Sequence, residues 1–339
     1  MRRREFIRDF SLWGAATAGA ALLPCRNSTA NSEIKRPLIA WAGAPPPGTS
    51  LPPFMVESTL NNFMRGLSDA GYVQGRNINV VRRPEVLPDR MASIEEMILK
   101  LSPNIVLAPS TLEAVAARKA TSSIPIVCPA LADAVHLGLI ASEARPGGNV
   151  TGIEPYVAGL PTKQIELARE IVPNARRVGL LTNLADPKGP PQMGDLRGAC
   201  RTLGLTVVEA DASGPGDIST ALGTLAREQV DVVVVLQTSV LLISSERIAA
   251  FAQEVRLPTV FGYREHVAMG GLVSYGVDLR WCYRRAAYFV DKILKGTHAG
   301  DLPIEFPSSF WLAVNLGTAK LLGRQLPAPL LTRADEVIE

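Results

Sequence analysis

From residue 37 to residue 261 the chain alternates short apolar, β-branched runs with amphipathic stretches, a rhythm that neither an all-helical nor an all-β fold satisfies. Residues 37–43 (PLIAWAG) read as a first strand. Residues 56–70 follow as a helix with Val56, Leu60, Phe63, Met64 and Leu67 on one face. Strand 77–81 and helix 91–101, then strand 104–109, helix 111–120 and strand 124–130, continue the pattern. Because the strand runs are continuously apolar rather than alternating, the spacing predicts parallel sheets with helices on both faces, an α/β architecture.

A Gly-rich segment, residues 145–152 (RPGGNVTG), is too polar for a core and marks a boundary. Beyond it the alternation restarts: helix 161–171, strand 178–182, helix 192–203, strand 205–209, helix 218–228, strand 230–236, helix 244–255 and strand 257–261. The halves also repeat in kind. Strand 104–109, a helix and Ile124-Pro-Ile-Val correspond to strand 230–236, a helix and Leu257-Pro-Thr-Val, and residues 147–152 (GGNVTG) correspond to residues 270–276 (GGLVSYG). A length of 339 residues suits two domains of roughly 150 residues. Two similar lobes joined by more than one crossing follow. Helix 280–295 and a tail with Phe306, Phe310, Trp311, Leu316 and Leu321 remain to be added to one lobe or the other.

Charge separates the first thirty residues from the rest. Arg2, Arg3, Arg4, Arg8 and Arg26 against Glu5 and Asp9 account for the whole net charge of +3, so the body carries no electrostatic footprint for nucleic acid. A basic start followed by the short apolar run 11–23 suits a signal peptide and is too short to span a bilayer, which takes about 20 residues. Arg3-Arg4-Glu5-Phe6-Ile7 resembles a twin-arginine (Tat) export address. Two processing readings stay open: cleavage after Ala30, leaving a soluble chain, or lipid modification of Cys25 in Leu22-Leu23-Pro24-Cys25. Cys128, Cys200 and Cys282 are widely spaced, without a C-x-x-C pair, and read as small buried apolar residues.

An enzyme needs a nucleophile, a base or a metal, and none of the G-x-S-x-G, H-E-x-x-H or P-loop patterns is present. His136, His266 and His298 lack ligand spacing and read as surface or loop residues. No cofactor or metal is expected: residues 43–48 (GAPPPG) stand where a dinucleotide fingerprint would, but proline offers no N–H to a pyrophosphate. What recurs instead is a polar residue at the carboxyl end of a strand, where open parallel sheets bind ligands. Gly43, Ser110, Thr111, Asp133, Asn183, Thr238 and Tyr263 occupy such positions. Ser110 or Thr111 can cap the following helix and hold a carboxylate, or be a plain cap; Asp133 can pair with an amine, or be a solvated loop carboxylate. Tyr156 and Tyr263 either wall the cleft or pack at a hinge.

The body, from about residue 34 onward, resembles the periplasmic substrate-binding proteins of ABC transporters with a type I binding-protein fold. The resemblance is carried by residues 66–77 (GLSDAGYVQGRN), residues 125–152, Tyr275 with residues 283–295, and residues 331–339 (LTRADEVIE). It implies two Rossmann-like lobes with parallel sheets joined by a three-crossing hinge, lobe one taking residues 34–152 and 272–300 and lobe two residues 153–271 and 301–339. It also implies a periplasmic monomer that encloses a small molecule, an amino acid or related carboxylate, and delivers it to an ABC permease in the inner membrane without turnover. The chain departs from the family pattern at Asp133-Ala-Val, where relatives carry Asp-Pro-Val, and at residues 235–239 (VLQTS). The alternatives are a periplasmic sensor presenting the same closed shape to a membrane receptor, and an exported α/β enzyme whose catalytic residues the sequence does not supply.

Overall fold

The computed structural model describes residues 36–43, 52–82 and 90–339. The export address expected at residues 1–30, Cys25 included, lies outside them, as do residues 44–48 of the proline segment. The apolar runs pair into two sheets. The first holds β1 (Leu38–Trp41), β2 (Asn79–Arg82), β3 (Ile105–Leu107), β4 (Ile126–Cys128) and β5 (Val150–Gly152), all parallel, in the order β2-β1-β3-β4-β5. The second repeats that winding with β6 (Arg177–Thr182), β7 (Thr206–Asp211), β8 (Val232–Val235), β9 (Thr259–Phe261) and β10 (Val273–Gly276), in the order β7-β6-β8-β9-β10. It adds β11 (Trp311–Asn315), antiparallel to β10, and β12 (Glu336–Ile338). Every side chain of the central β8 is fully buried, whereas the edge strands β2 and β7 are partly exposed and more polar.

Three crossings join the lobes. The first follows β5 through residues 153–159. The second follows β10 and enters helix Leu279–Leu294, which packs along helix Asn62–Asp69 of the first lobe. The third leaves the turn Ala299–Asp301 and reaches β11. First and third run side by side: the Glu154 amide donates to the Glu305 carbonyl (2.9 Å) and the Glu305 amide to that of Gly152 (3.0 Å).

Two boundaries differ from expectation. Residues 145–152, expected to be too polar for a core, end instead in β5, with Val150 and Thr151 fully buried and the Thr151 hydroxyl donating to the Leu302 carbonyl at 2.8 Å. Residues 273–276, expected in lobe one, form β10 of the second sheet, so the second crossing falls after Gly276. The glycine repeat thereby acquires a physical meaning. Each copy ends on a glycine pressed against the preceding strand: a Cβ at Gly152 would lie 1.9 Å from the Cys128 carbonyl oxygen, and one at Gly276 would lie 1.8 Å from that of Gly262.

The helix expected over 56–70 is interrupted. Helix Pro53–Val56 passes into a π-helical turn, Glu57–Asn61, before helix Asn62–Asp69 resumes, with the Asn62 side-chain amide donating to the Glu57 carbonyl at 2.7 Å. Such insertions concentrate at functional sites. His266 also departs from its surface assignment: it is fully buried and stacks on Phe261 (4.6 Å between ring centres) and Tyr263 (6.2 Å). Cys128, Cys200 and Cys282 are free and buried, and burial pushes the Cys128 thiol up to about 12 and that of Cys200 up to about 11, away from thiolate reactivity.

Candidate functional site

The carboxyl ends of both sheets face a single cleft of about 760 Å³, its open mouth included. The first lobe contributes an aromatic wall. Trp41, at the end of β1, stacks on Tyr283 with ring centres 5.7 Å apart and planes 13° from parallel, and Phe63 meets it edge-on at 5.9 Å. Tyr283 is fixed in turn by its hydroxyl, which donates to the Pro109 carbonyl at 3.1 Å. Gly43 keeps the rim open: a Cβ there would lie 2.4 Å from the Pro109 ring and 3.0 Å from Trp41. Thr59, from the π-helical turn, lines the same wall.

Polar groups on this lobe centre on Ser110 and Glu113, at the start of helix Thr111–Ala120. Ser-x-x-Glu is the sequence pattern of a capping box, but the Ser110 hydroxyl does not cap the helix; it donates to the Glu113 carboxylate. Glu113 is buried and lines the cleft, so the first lobe presents an acidic group at the helix start.

Opposite stands the second lobe, with Lys188, Thr238, Ser239, Leu242 and Tyr263. Residues 183–189 make a tight turn: Asn183 accepts from the Asp186 amide (2.8 Å), and Gly189 passes so close to the Asn183 carbonyl that a Cβ would lie 2.3 Å from it. Asp186 accepts the Lys188 amide on one oxygen and the Ser239 amide on the other, both at 3.0 Å. Beneath them Gln192 donates to the Lys188 carbonyl (2.7 Å) and accepts from the Gln237 amide (2.8 Å). Lys188 is thus held at the cleft with its side chain 4% exposed, its ammonium 3.9 Å from Asp186. Burial works against that charge, but Asp186, followed by Tyr263, Cys128 and Glu113, together outweigh it and hold the pKa above the usual lysine range. Burial pushes Tyr263 up to about 12, which leaves it a neutral phenol. Leu242 and Tyr263 pack into one apolar cluster with Trp41, Met55 and Leu279, so the lobes touch across the cleft.

Of the residues singled out in the sequence, Gly43, Ser110, Thr238 and Tyr263 line the cleft. Thr111 is buried behind it with its hydroxyl on the Ala130 carbonyl (3.4 Å), and Asn183 is used in the turn described above. Tyr156 belongs to the first crossing, its hydroxyl 2.6 Å from Asp195. Asp133 is exposed, with φ of 52°, and does not line the cleft. Asp133→Ala is therefore expected to leave calorimetric ligand affinity unchanged within about twofold, the ordinary outcome for a surface substitution; a tenfold loss would return it to the site. Sequence reasoning missed Trp41, Thr59, Glu113, Lys188 and Tyr283. The strand-end rule reaches Trp41, and the Ser-x-x-Glu spacing reaches Glu113; nothing in the sequence marks Lys188. Among the described residues no cluster of His, Cys, Asp or Glu can hold a metal ion.

Comparison with known proteins shows what the chain resembles. The family model described as ABC transporter substrate binding protein matches residues 55–338. A curated tyrosine-binding protein of Clostridioides difficile is 27% identical over 271 residues, covering 80% of this chain and 78% of its own. A conserved domain protein of Vibrio cholerae superposes with a TM-score of 0.81 at 25% identity, covering 89% of this chain and all of that one. An ABC domain from Streptococcus pneumoniae in complex with L-Trp gives 0.76 at 22% identity, covering 90% of this chain and all of that one.

Proposed function

Because the chain belongs to the ABC transporter substrate-binding protein family, whose members are extracytoplasmic, we propose that it captures a small aromatic α-amino acid or related carboxylate by lobe closure and presents the closed form to an ABC permease. The observation that carries this reading is the Trp41–Tyr283 wall in a cleft lined by both lobes. The names of the relatives, a tyrosine-binding protein and an L-Trp complex, support the same ligand class.

Magnitudes fit. A buried aromatic ring removes about 150–250 Å² from water, worth roughly 4–6 kcal/mol at about 25 cal/mol per Å². Micromolar affinity needs about −8 kcal/mol, so the ring supplies much of it and the polar end of the ligand the remainder. Only the closed state contacts the ligand from both sides, so binding drives the hinge. The protein works by binding, without turnover.

Calorimetric titration tests the proposal. L-tyrosine or L-tryptophan is expected to bind near micromolar affinity and L-alanine more weakly by on the order of 1,000-fold or more, the fold-change of the missing ring; equal affinities for all three would refute the aromatic reading.

A further inference from the structure

The cleft's two walls carry opposite charge. On the first lobe the acidic side chain is Glu113; on the second the basic one is Lys188. An ammonium has three donors and no acceptor, and leaving it buried without a hydrogen-bonding anion is costly. Asp186 balances the charge without bonding it: it stands 3.9 Å from the ammonium, beyond hydrogen-bond reach, while its oxygens accept the Lys188 and Ser239 amides. Among the described residues the Lys188 ammonium makes no hydrogen bond, although its side chain is 4% exposed and it lines the cleft.

From this arrangement we infer that Lys188 receives the ligand's carboxylate, and that this contact, made by the lobe opposite the aromatic wall, is what commits the lobes to close. The inference rests on the reading of the cleft as the site for a ring-bearing small molecule. It moves the anion from the position expected in the sequence, Ser110-Thr111, where the Glu113 carboxylate repels it and already takes the Ser110 hydroxyl. Trp41 and Tyr283 belong to the first lobe, so a ring can dock on them while the lobes are apart. A ligand shifts the hinge only by its differential affinity for the closed form, and the Lys188 ion pair exists only there. The turn 183–189 supplies the rigidity such a clamp needs, since Gly189 and the Asp186 bonds fix the backbone from which the lysine projects.

The test compares L-tyrosine and L-tryptophan with tyramine and tryptamine, which keep the ring and the amine but lack the carboxylate, by calorimetry and by small-angle scattering. With the unaltered protein the amines should bind on the order of 10- to 150-fold more weakly, the fold-change of a lost charged hydrogen bond, and should leave the radius of gyration unchanged where the amino acids reduce it. Lys188→Met should erase the difference between each amino acid and its amine. Tyramine binding as tightly as tyrosine, or compaction by the amines, overturns the inference while leaving the function intact, and the analogue series gives that answer even where the variant fails to fold. Binding of none of the four compounds overturns the aromatic reading itself, and the inference with it.

Discussion

Gly276→Ala is expected to cost about 3 kcal/mol or more, at or beyond the upper end of ordinary overpacking. A Cβ at this position would lie 1.8 Å from the Gly262 carbonyl oxygen and 2.7 Å from the Gln237 side-chain nitrogen, and the first obstacle is backbone, which cannot swing aside. Relief requires β10 to move off β9 just before the second crossing, so the damage reaches the hinge as well as the sheet. Gly194 makes the control: it lies within helix Gly189–Thr202, where an added methyl would meet nothing within 4 Å, and alanine there should stabilise by about 0.5–1 kcal/mol. Urea unfolding of both variants checks the pair, and a loss below about 1 kcal/mol for Gly276→Ala would contradict the close approach.

Glu265→Gln is expected to raise stability at pH 7, where a carboxyl must take up a proton to be buried neutral and a carboxamide need not, and to change the shape of the pH profile. Glu265 is fully buried and neither of its carboxyl oxygens makes a well-aligned hydrogen bond. Burial pushes its pKa above 4.5; Ser58 of the facing lobe and Arg264 oppose that rise, and Asp278 reinforces it. Below pH 4.5 folded and unfolded chains both hold the proton. As pH rises past 4.5 the unfolded chain releases it while the folded chain keeps it, so this group lowers stability with rising pH. His266 slopes the other way: burial holds it at about 4 against 6.5, so its contribution is complete above 6.5 and is lost as pH falls toward 4. Just above pH 4.5 the two neighbours therefore work against each other. Glutamine removes one slope, so the variant should lose stability more steeply than the parent as pH falls toward 4.5; parallel melting profiles across pH 4–8 would contradict the assignment.

Much of the architecture was legible because buried parallel strands announce themselves as continuous apolar runs, and Val232–Val235 is the clearest case. The repeat of glycine pairs was equally visible, though its role was not. Val150–Gly152 is three residues long and flanked by Gly and Asn, too short for a periodicity signal, so it read as a crossing. Val273–Gly276 was joined to lobe one with the helix that follows it, because sequence adjacency does not reveal which sheet edge a strand extends. The π-helical turn depends on a single extra residue in the helical ladder, which no spacing of apolar residues records.

The site was legible by position rather than by residue. Strand ends pointed to Gly43, Ser110, Thr238 and Tyr263, all on the cleft, but also to Asp133, which the left-handed backbone at that residue places in an exposed loop. Lys188 lies in Asp186-Pro-Lys-Gly-Pro, a string that reads as a solvated turn; only the packing of Asn183 against Gly189 and the cap on Ser239 buries it. Composition assigns such a residue to the surface, and tertiary structure overrides it.

The central claim is that two matched lobes clamp one small molecule between an aromatic wall and a buried cation. A crystal structure of the protein grown with L-tyrosine or L-tryptophan tests it most directly. The account predicts one ligand between the lobes, its ring against Trp41 and Tyr283 and its carboxylate within hydrogen-bond distance of the Lys188 ammonium. A ligand seated anywhere outside this cleft would contradict it.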